Sequence, residues 1–201
     1  QERHYDTAEN IWFNFRHSGY ADYKRTLDIA NAVCTVDYTA DGHKYSREFF
    51  VSAPDNVITV HQYSTDGGKS SAKIDFSRRS ERTFKYELTE TGLNIFAKQP
   101  EDGCEYCISA ACENDGGVAI FNESCLEIFD ADSFTLYITI RTDYHGENIT
   151  EWCQGVIENA LNIGYDAVKA RHIADYKSYF NRVSLTLDSE DYSTEPTNVR
   201  L

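Results

Sequence analysis

The sequence predicts an all-β fold, an antiparallel β-sandwich with two helices near its C-terminal end. Three observations point there. The composition favours pleated surfaces, with 14 Ile, 10 Val, 16 Thr, 14 Tyr and 11 Phe against 9 Leu and no Met. β-branched and aromatic side chains pack well on a sheet, whereas Leu and Met are the usual helix fillers. Turn signals punctuate the first two thirds of the chain: Asp41-Gly42, Asp66-Gly67-Gly68, Thr91-Gly92, Asp102-Gly103 and Asp115-Gly116-Gly117. Such pairs supply the positive φ that tight hairpins require. Between them apolar and polar residues alternate with period two, as in half-buried strands.

The elements follow in order. In 32–39, Ala32, Cys34, Val36 and Tyr38 share one face, and Thr35, Asp37 and Thr39 the other. Segments 43–52, 56–63, 72–77, 83–88, 92–98, 105–112, 117–121 and 124–129 repeat the pattern. In 133–141, Phe134, Leu136, Ile138 and Ile140 form one face, with Thr135, Tyr137, Thr139 and Arg141 opposite. The period changes after Gly146. Asn148 and Glu151 resemble a capping box, with Asn in place of Ser or Thr. A helix is expected from there to about Asn162, a break at Gly164, and a second helix to Asn181. Tyr165, Val168, Tyr176, Tyr179, Phe180 and Val183 fall mainly on one face of it, ready to meet the sheet or a neighbouring domain. A last strand is expected at 183–187, with Val183, Leu185 and Leu187 inward, and then a polar linker containing Pro196.

Length and charge bound the function. A chain of 201 residues fits one sizeable domain. Its net charge of −14 repels phosphate backbones, so neither nucleic acid nor an anionic membrane is an expected partner. No apolar run is long enough to span a bilayer. Gln1 stands where an intact reading frame has Met, and no basic segment leads into an apolar one. The expectation is a chain trimmed from a longer product, with no secretory signal in this piece and no localisation assigned.

Candidate chemical motifs carry little. Cys34, Cys104, Cys107, Cys112, Cys125 and Cys153 are irregularly spaced, which favours reduced structural thiols over disulfides or a metal site. Cys104 and Cys107 have the gap of a zinc knuckle but lack a second pair. Asp66-Gly-Gly-Lys-Ser70 has Tyr63 where a phosphate-binding loop has glycine, and it reads as a hairpin turn. His4, His17, His43, His61, His145 and His172 show no metal-ligand spacing. His172 and Asp175 share a helix face, best suited to a structural hydrogen bond across an interface. Asn122-Glu-Ser124 and Asn148-Ile-Thr150 match the glycosylation triplet, which carries no weight without a secretory context. Acidic residues number 33, too many for sequence to select a catalytic pair. No catalytic, cofactor-binding or metal-binding residue is therefore assigned, and no cofactor is expected.

Several stretches together resemble a known family. Tyr23-Lys-Arg-Thr-Leu27-Asp28-Ile29 leads into Ala32-Val33-Cys-Thr-Val36-Asp-Tyr38. Gly42-His-Lys-Tyr45-Ser-Arg47-Glu48-Phe-Phe50 runs on through Pro54-Asp55 to Val57-Ile58. Ala131-Asp132-Ser-Phe-Thr-Leu-Tyr-Ile precedes Thr142-Asp143-Tyr144. Later come Gly164-Tyr165, then His172-Ile-Ala-Asp175-Tyr176 through Phe180-Asn-Arg182-Val183, then Pro196-Thr197 and Arg200-Leu201. The order and spacing are similar to the N-terminal β domain of glycoside hydrolase family 95, mostly α-L-fucosidases with some α-L-galactosidases. The departures are Thr26 where an acidic residue is usual, and Asn198-Val199 where Asp-Glu is usual. The family's upstream glycine-rich stretch is not in this chain.

The resemblance implies a super-sandwich over 1–188, including helices at about 148–181, with 189–201 starting a linker to an (α/α)6 catalytic barrel. It implies a bacterial parent enzyme that removes terminal α-linked fucose from glycans with inversion. Acid and base would lie in the barrel, so this domain would be a non-catalytic scaffold. The rival expectation is a stand-alone carbohydrate-binding module using exposed aromatic platforms, for which Trp12 and Trp152 are the only tryptophans.

Overall fold

In a computed structural model, which describes residues 8, 10–77, 84–98, 103–146, 148–185 and 199, two antiparallel sheets face one another. The strands are β1 (Asn10–Phe15), β2 (Ala21–Asp28), β3 (Val33–Ala40), β4 (His43–Ser52), β5 (Val57–Ser64) and β6 (Ser70–Ser77). They continue as β7 (Lys85–Leu88), β8 (Gly92–Lys98), β9 (Glu105–Asp115), β10 (Val118–Asn122), β11 (Cys125–Ala131) and β12 (Ser133–Thr142). The small sheet has the order β1-β6-β11-β10 and the large sheet β2-β3-β4-β5-β12-β9-β8-β7. After a 3-10 turn at Asp143–His145, the helix α1 (Ile149–Phe180) lies on the outer face of the large sheet.

Alternation decides which residues meet. On β12, Phe134, Leu136 and Ile138 point toward the small sheet and join Ile74, Phe76, Leu126 and Ile128 in the main core. Tyr137, on the opposite face of β12, is buried against α1 with Val33, Phe50, Val57, Ala111, Ile157, Ala160 and Val168. Register fits this: Leu136 stands across from Val60 on β5 and Cys112 on β9. Burying a large apolar side chain contributes about 1.5–3 kcal/mol, so both faces of the central strands stabilise the fold.

The strands beginning at Val33 and running through Ser133–Thr142 lie where alternation puts them, within a few residues. Five differences are informative. β1 and β2 precede the first strand that alternation identifies. Asp66-Gly67-Gly68 is no hairpin, because β5 and β6 belong to different sheets and the turn carries the chain between them. Asp115-Gly116-Gly117 does the same between β9 and β10. Gly117 has φ 59°, and a Cβ there would stand 2.1 Å from the Phe129 carbonyl oxygen, so the corner requires glycine. A local turn signal reports that the chain reverses, not which sheet receives it.

The helical region is one continuous element broken at Gly164, with φ 75° and ψ 169°, so the two expected helices abut directly. Asn148 caps the first, its side chain accepting from the Glu151 N–H at 3.3 Å. The expected closing strand does not form over 183–185, and Val183 and Leu185 stand exposed. Alternation over three residues marks a strand only where a partner strand receives it. Leu187, Pro196 and the rest of the expected linker lie outside the described residues, apart from Val199.

Candidate functional site

Unequal sheets create a cleft. β1 ends the small sheet, while the inner faces of β2, β3 and β4 continue alongside it. The space between has a volume of about 870 Å³. Phe13 and Phe15 of β1 form one wall, Tyr20, Tyr23 and Arg25 stand on the other, and Val36, Tyr38, Arg47 and Phe49 make the floor. Phe13, Phe15, Arg47 and Phe49 share the cleft because odd-numbered residues of β1 and β4 face inward.

Arg47 is the centre of the floor. Its guanidinium lies 4.0 Å from the Phe15 ring centroid, and its Nε–H donates to the Gln62 side-chain oxygen at 2.9 Å. Gln62 in turn donates to the Tyr38 hydroxyl at 3.3 Å. Burial lowers the Arg47 pKa and raises that of Tyr38. His17 stands between the Tyr38 hydroxyl and the Asp41 carboxylate, 3.2 Å from each, and stacks on Phe15. Tyr20 and Tyr23 are exposed at the mouth, edge to face at 6.5 Å. Among the described residues no Asp or Glu lines the cleft.

The outer face of the same sheet holds a charged cluster. Tyr165 and Lys169 of α1 both donate to Glu48 of β4. Burial pushes the Glu48 carboxyl up, but these two hydrogen bonds together with the Lys169 and His61 charges outweigh it, and the net direction is down. The His61 ring stacks on Tyr165 at 3.9 Å and its Nδ1 pairs with Thr135 at 2.9 Å. A recess of about 480 Å³ beside this cluster contains Glu113, Asp115 and Asp166. Glu113 accepts from the Tyr137 hydroxyl at 2.6 Å, and the two aspartates are exposed. His172 Nε2–H donates to the carbonyls of Asn31 and Ala32, 3.1 Å each, and the ring stacks on Phe50. The histidine thus makes the interface bond its spacing suggested, with backbone rather than Asp175 as partner.

A third surface is apolar. Leu27, Cys34, Val51, Ile58 and Tyr176 line a shallow groove near the C-terminal end of α1. Leu27 is 65% exposed and Val51 62%. Tyr176 donates to the Ile29 carbonyl at 2.8 Å and stacks on Phe180 at 5.2 Å, which extends the strip along the helix.

The other sequence candidates are structural or solvated. His43 and the Lys44 N–H hold Asp66 in its turn. All six cysteines are free thiols, with Cys107 and Cys153 buried together between β9 and α1. Trp12 is exposed on the outer face of the small sheet, and Trp152 lies beneath Arg141. Among the described residues no group of three His, Cys, Asp or Glu stands close enough to hold a metal ion. No helix is long and apolar enough to cross a membrane among the described residues. Sequence reasoning missed Arg47 and the β1 rings. The alternation of Ile11, Phe13 and Phe15 against Trp12 and Asn14 was the available signal.

Comparison with known proteins places this geometry in context. The family model described as "Glycosyl hydrolase family 65, N-terminal domain" matches residues 1–147. "Alpha-L-fucosidase 2" of Arabidopsis thaliana is 26% identical over 89% of this chain and 25% of its own. "Probable alpha-fucosidase A" of Aspergillus oryzae is 22% identical over 87% of this chain and 27% of its own. The chain therefore spans about a quarter of the length of these relatives. The solved structure "Putative kojibiose phosphorylase from human microbiome" aligns with TM-score 0.62 and 11% identity, over 84% of this chain and 27% of that one. That last likeness concerns the fold.

Proposed function

Because the chain belongs to the glycosyl hydrolase family 65 N-terminal domain family, we propose that it is the non-catalytic β-sandwich of a larger, family 95-like α-L-fucosidase. The parent enzyme would remove terminal α-L-fucosyl groups with inversion, using acid and base groups on a helical barrel that follows in the same polypeptide. The observation that carries this reading is the mismatch in coverage. Fucosidase relatives match nearly nine tenths of this chain, yet about three quarters of their length lies outside it. Inverting hydrolysis needs two carboxyl groups about 6.5–9.5 Å apart across the sugar. Among the described residues the large cleft has none, and in the outer recess Glu113 is bonded to Tyr137 while Asp115 and Asp166 are exposed.

The domain's role is to scaffold. The exposed strip of Leu27, Val51, Ile58, Tyr176 and Phe180 is the surface offered to the barrel, at the end of α1 where the chain continues. The test is sugar release. The isolated chain is expected to free no fucose from a fucosylated oligosaccharide, and the longer polypeptide is expected to free it as the inverted anomer, read by NMR. Release by the isolated chain, or retention of configuration by the longer one, overturns the reading.

A further inference from the structure

Among the described residues, the cleft between β1 and β2–β4 holds a cation with no anion. A partly buried charge is ordinarily paired with an opposite one, because desolvation otherwise disfavours it. Among the described residues Arg47 has neutral company in the cleft: the Gln62 amide oxygen at 2.9 Å, the Phe15 face at 4.0 Å and the Tyr38 ring at 5.8 Å. Arg25 lines the opposite wall, and no carboxylate joins them among the described residues. This is unusual in a chain with 33 acidic and 19 basic residues. We propose that this cleft binds a carboxylate-bearing saccharide, its carboxylate held by Arg47 and Arg25 and its ring lying on Tyr23.

Chemistry and shape agree. A guanidinium presents parallel N–H donors that match a carboxylate, and Arg47 already lies over the Phe15 ring and is tied to Gln62. A donor fixed before binding loses less freedom when the ligand arrives. Tyr23 is exposed at the mouth and offers an apolar face with a polar edge, suited to a pyranose ring that has C–H groups on one side and hydroxyls around its rim. The volume of about 870 Å³ falls within the range of small-ligand sites. The choice of a saccharide rests on the reading above; the choice of an acidic one rests on the two arginines.

The test is a calorimetric titration of the chain with a galacturonate trisaccharide and with its fully methyl-esterified form, which masks the charge and keeps the ring. The acid is expected to bind with a Kd in the millimolar range or below, and the ester at least about fivefold more weakly. Arg25→Gln, on an exposed wall, is expected to weaken the acid about tenfold, and Arg47→Lys to do the same by removing the paired donors. Equal affinity for acid and ester overturns the proposal, as does no binding at roughly 10 mM ligand. So does an unchanged affinity in Arg25→Gln, which suffices if Arg47→Lys does not fold. A triglutamate peptide that binds as tightly as the sugar also overturns it, in favour of an acidic peptide. The titration needs no hydrolysis, so its failure leaves the accessory-domain reading to the sugar-release assay.

Discussion

Glu48 ties two layers together through single hydrogen bonds. Its carboxylate receives both Tyr165 and Lys169 from α1, and His61 packs against the same tyrosine. Burial lowers the His61 pKa from the ordinary 6.5, with Lys169 adding in the same direction and Glu48 and Asp166 opposing. As pH falls, the unfolded chain therefore takes up a proton before the folded one does. The stability linked to His61 is present above about pH 6.5 and is lost as pH falls through the lower folded value. Glu48 acts in the same sense below 4.5, since its net shift is also downward. Denaturant midpoints are expected to fall from pH 7 toward pH 5, and His61→Phe, which keeps the ring stack, to flatten that slope. An unchanged slope in the variant would remove His61 from the account. Little of this was legible beforehand. His61 read as an ordinary polar residue late in a strand, and Arg47 as one residue of a familiar stretch, because period two shows a face without showing what lies opposite.

Among the elements, α1 depends on one glycine. Gly164 adopts φ 75° and ψ 169°, a region closed to L side chains, although a Cβ there would meet nothing within 4 Å. The cost of a side chain is then backbone strain without a clash. Gly164→Ala is expected to destabilise the chain by about 1–3 kcal/mol in urea unfolding. Gly155 gives the contrast: it is exposed within the helix, with equally open space around it. Gly155→Ala is expected to stabilise by about 0.5–1 kcal/mol. Equal effects at the two positions would show that the break is not strained. The break itself was legible, because glycine interrupts an otherwise helical pattern. The fate of the helical stripe was not. Val168 is fully buried, while Tyr179 and Val183 are exposed, since α1 outruns the sheet face that covers its middle.

Across the whole molecule, the uncovered strip is where stability and assembly separate. Leu27 and Val51 are mostly exposed, so the double change Leu27→Ser and Val51→Ser is expected to alter the isolated chain's unfolding free energy by about 1 kcal/mol or less. In the longer polypeptide the same pair is expected to loosen the sandwich from the rest, read as faster limited proteolysis between them. A loss above about 3 kcal/mol in the isolated chain would mean that these residues belong to its core. What the sequence by itself determined was the local grammar: alternating strands, turn residues, a capped helix and its glycine break, each written in neighbouring residues. The tertiary structure alone decided which turns change sheets and, among the described residues, that one sheet has twice the strands of the other and that an arginine lies among rings without an anion. Those outcomes depend on contacts between residues far apart in the chain, and no local period encodes them.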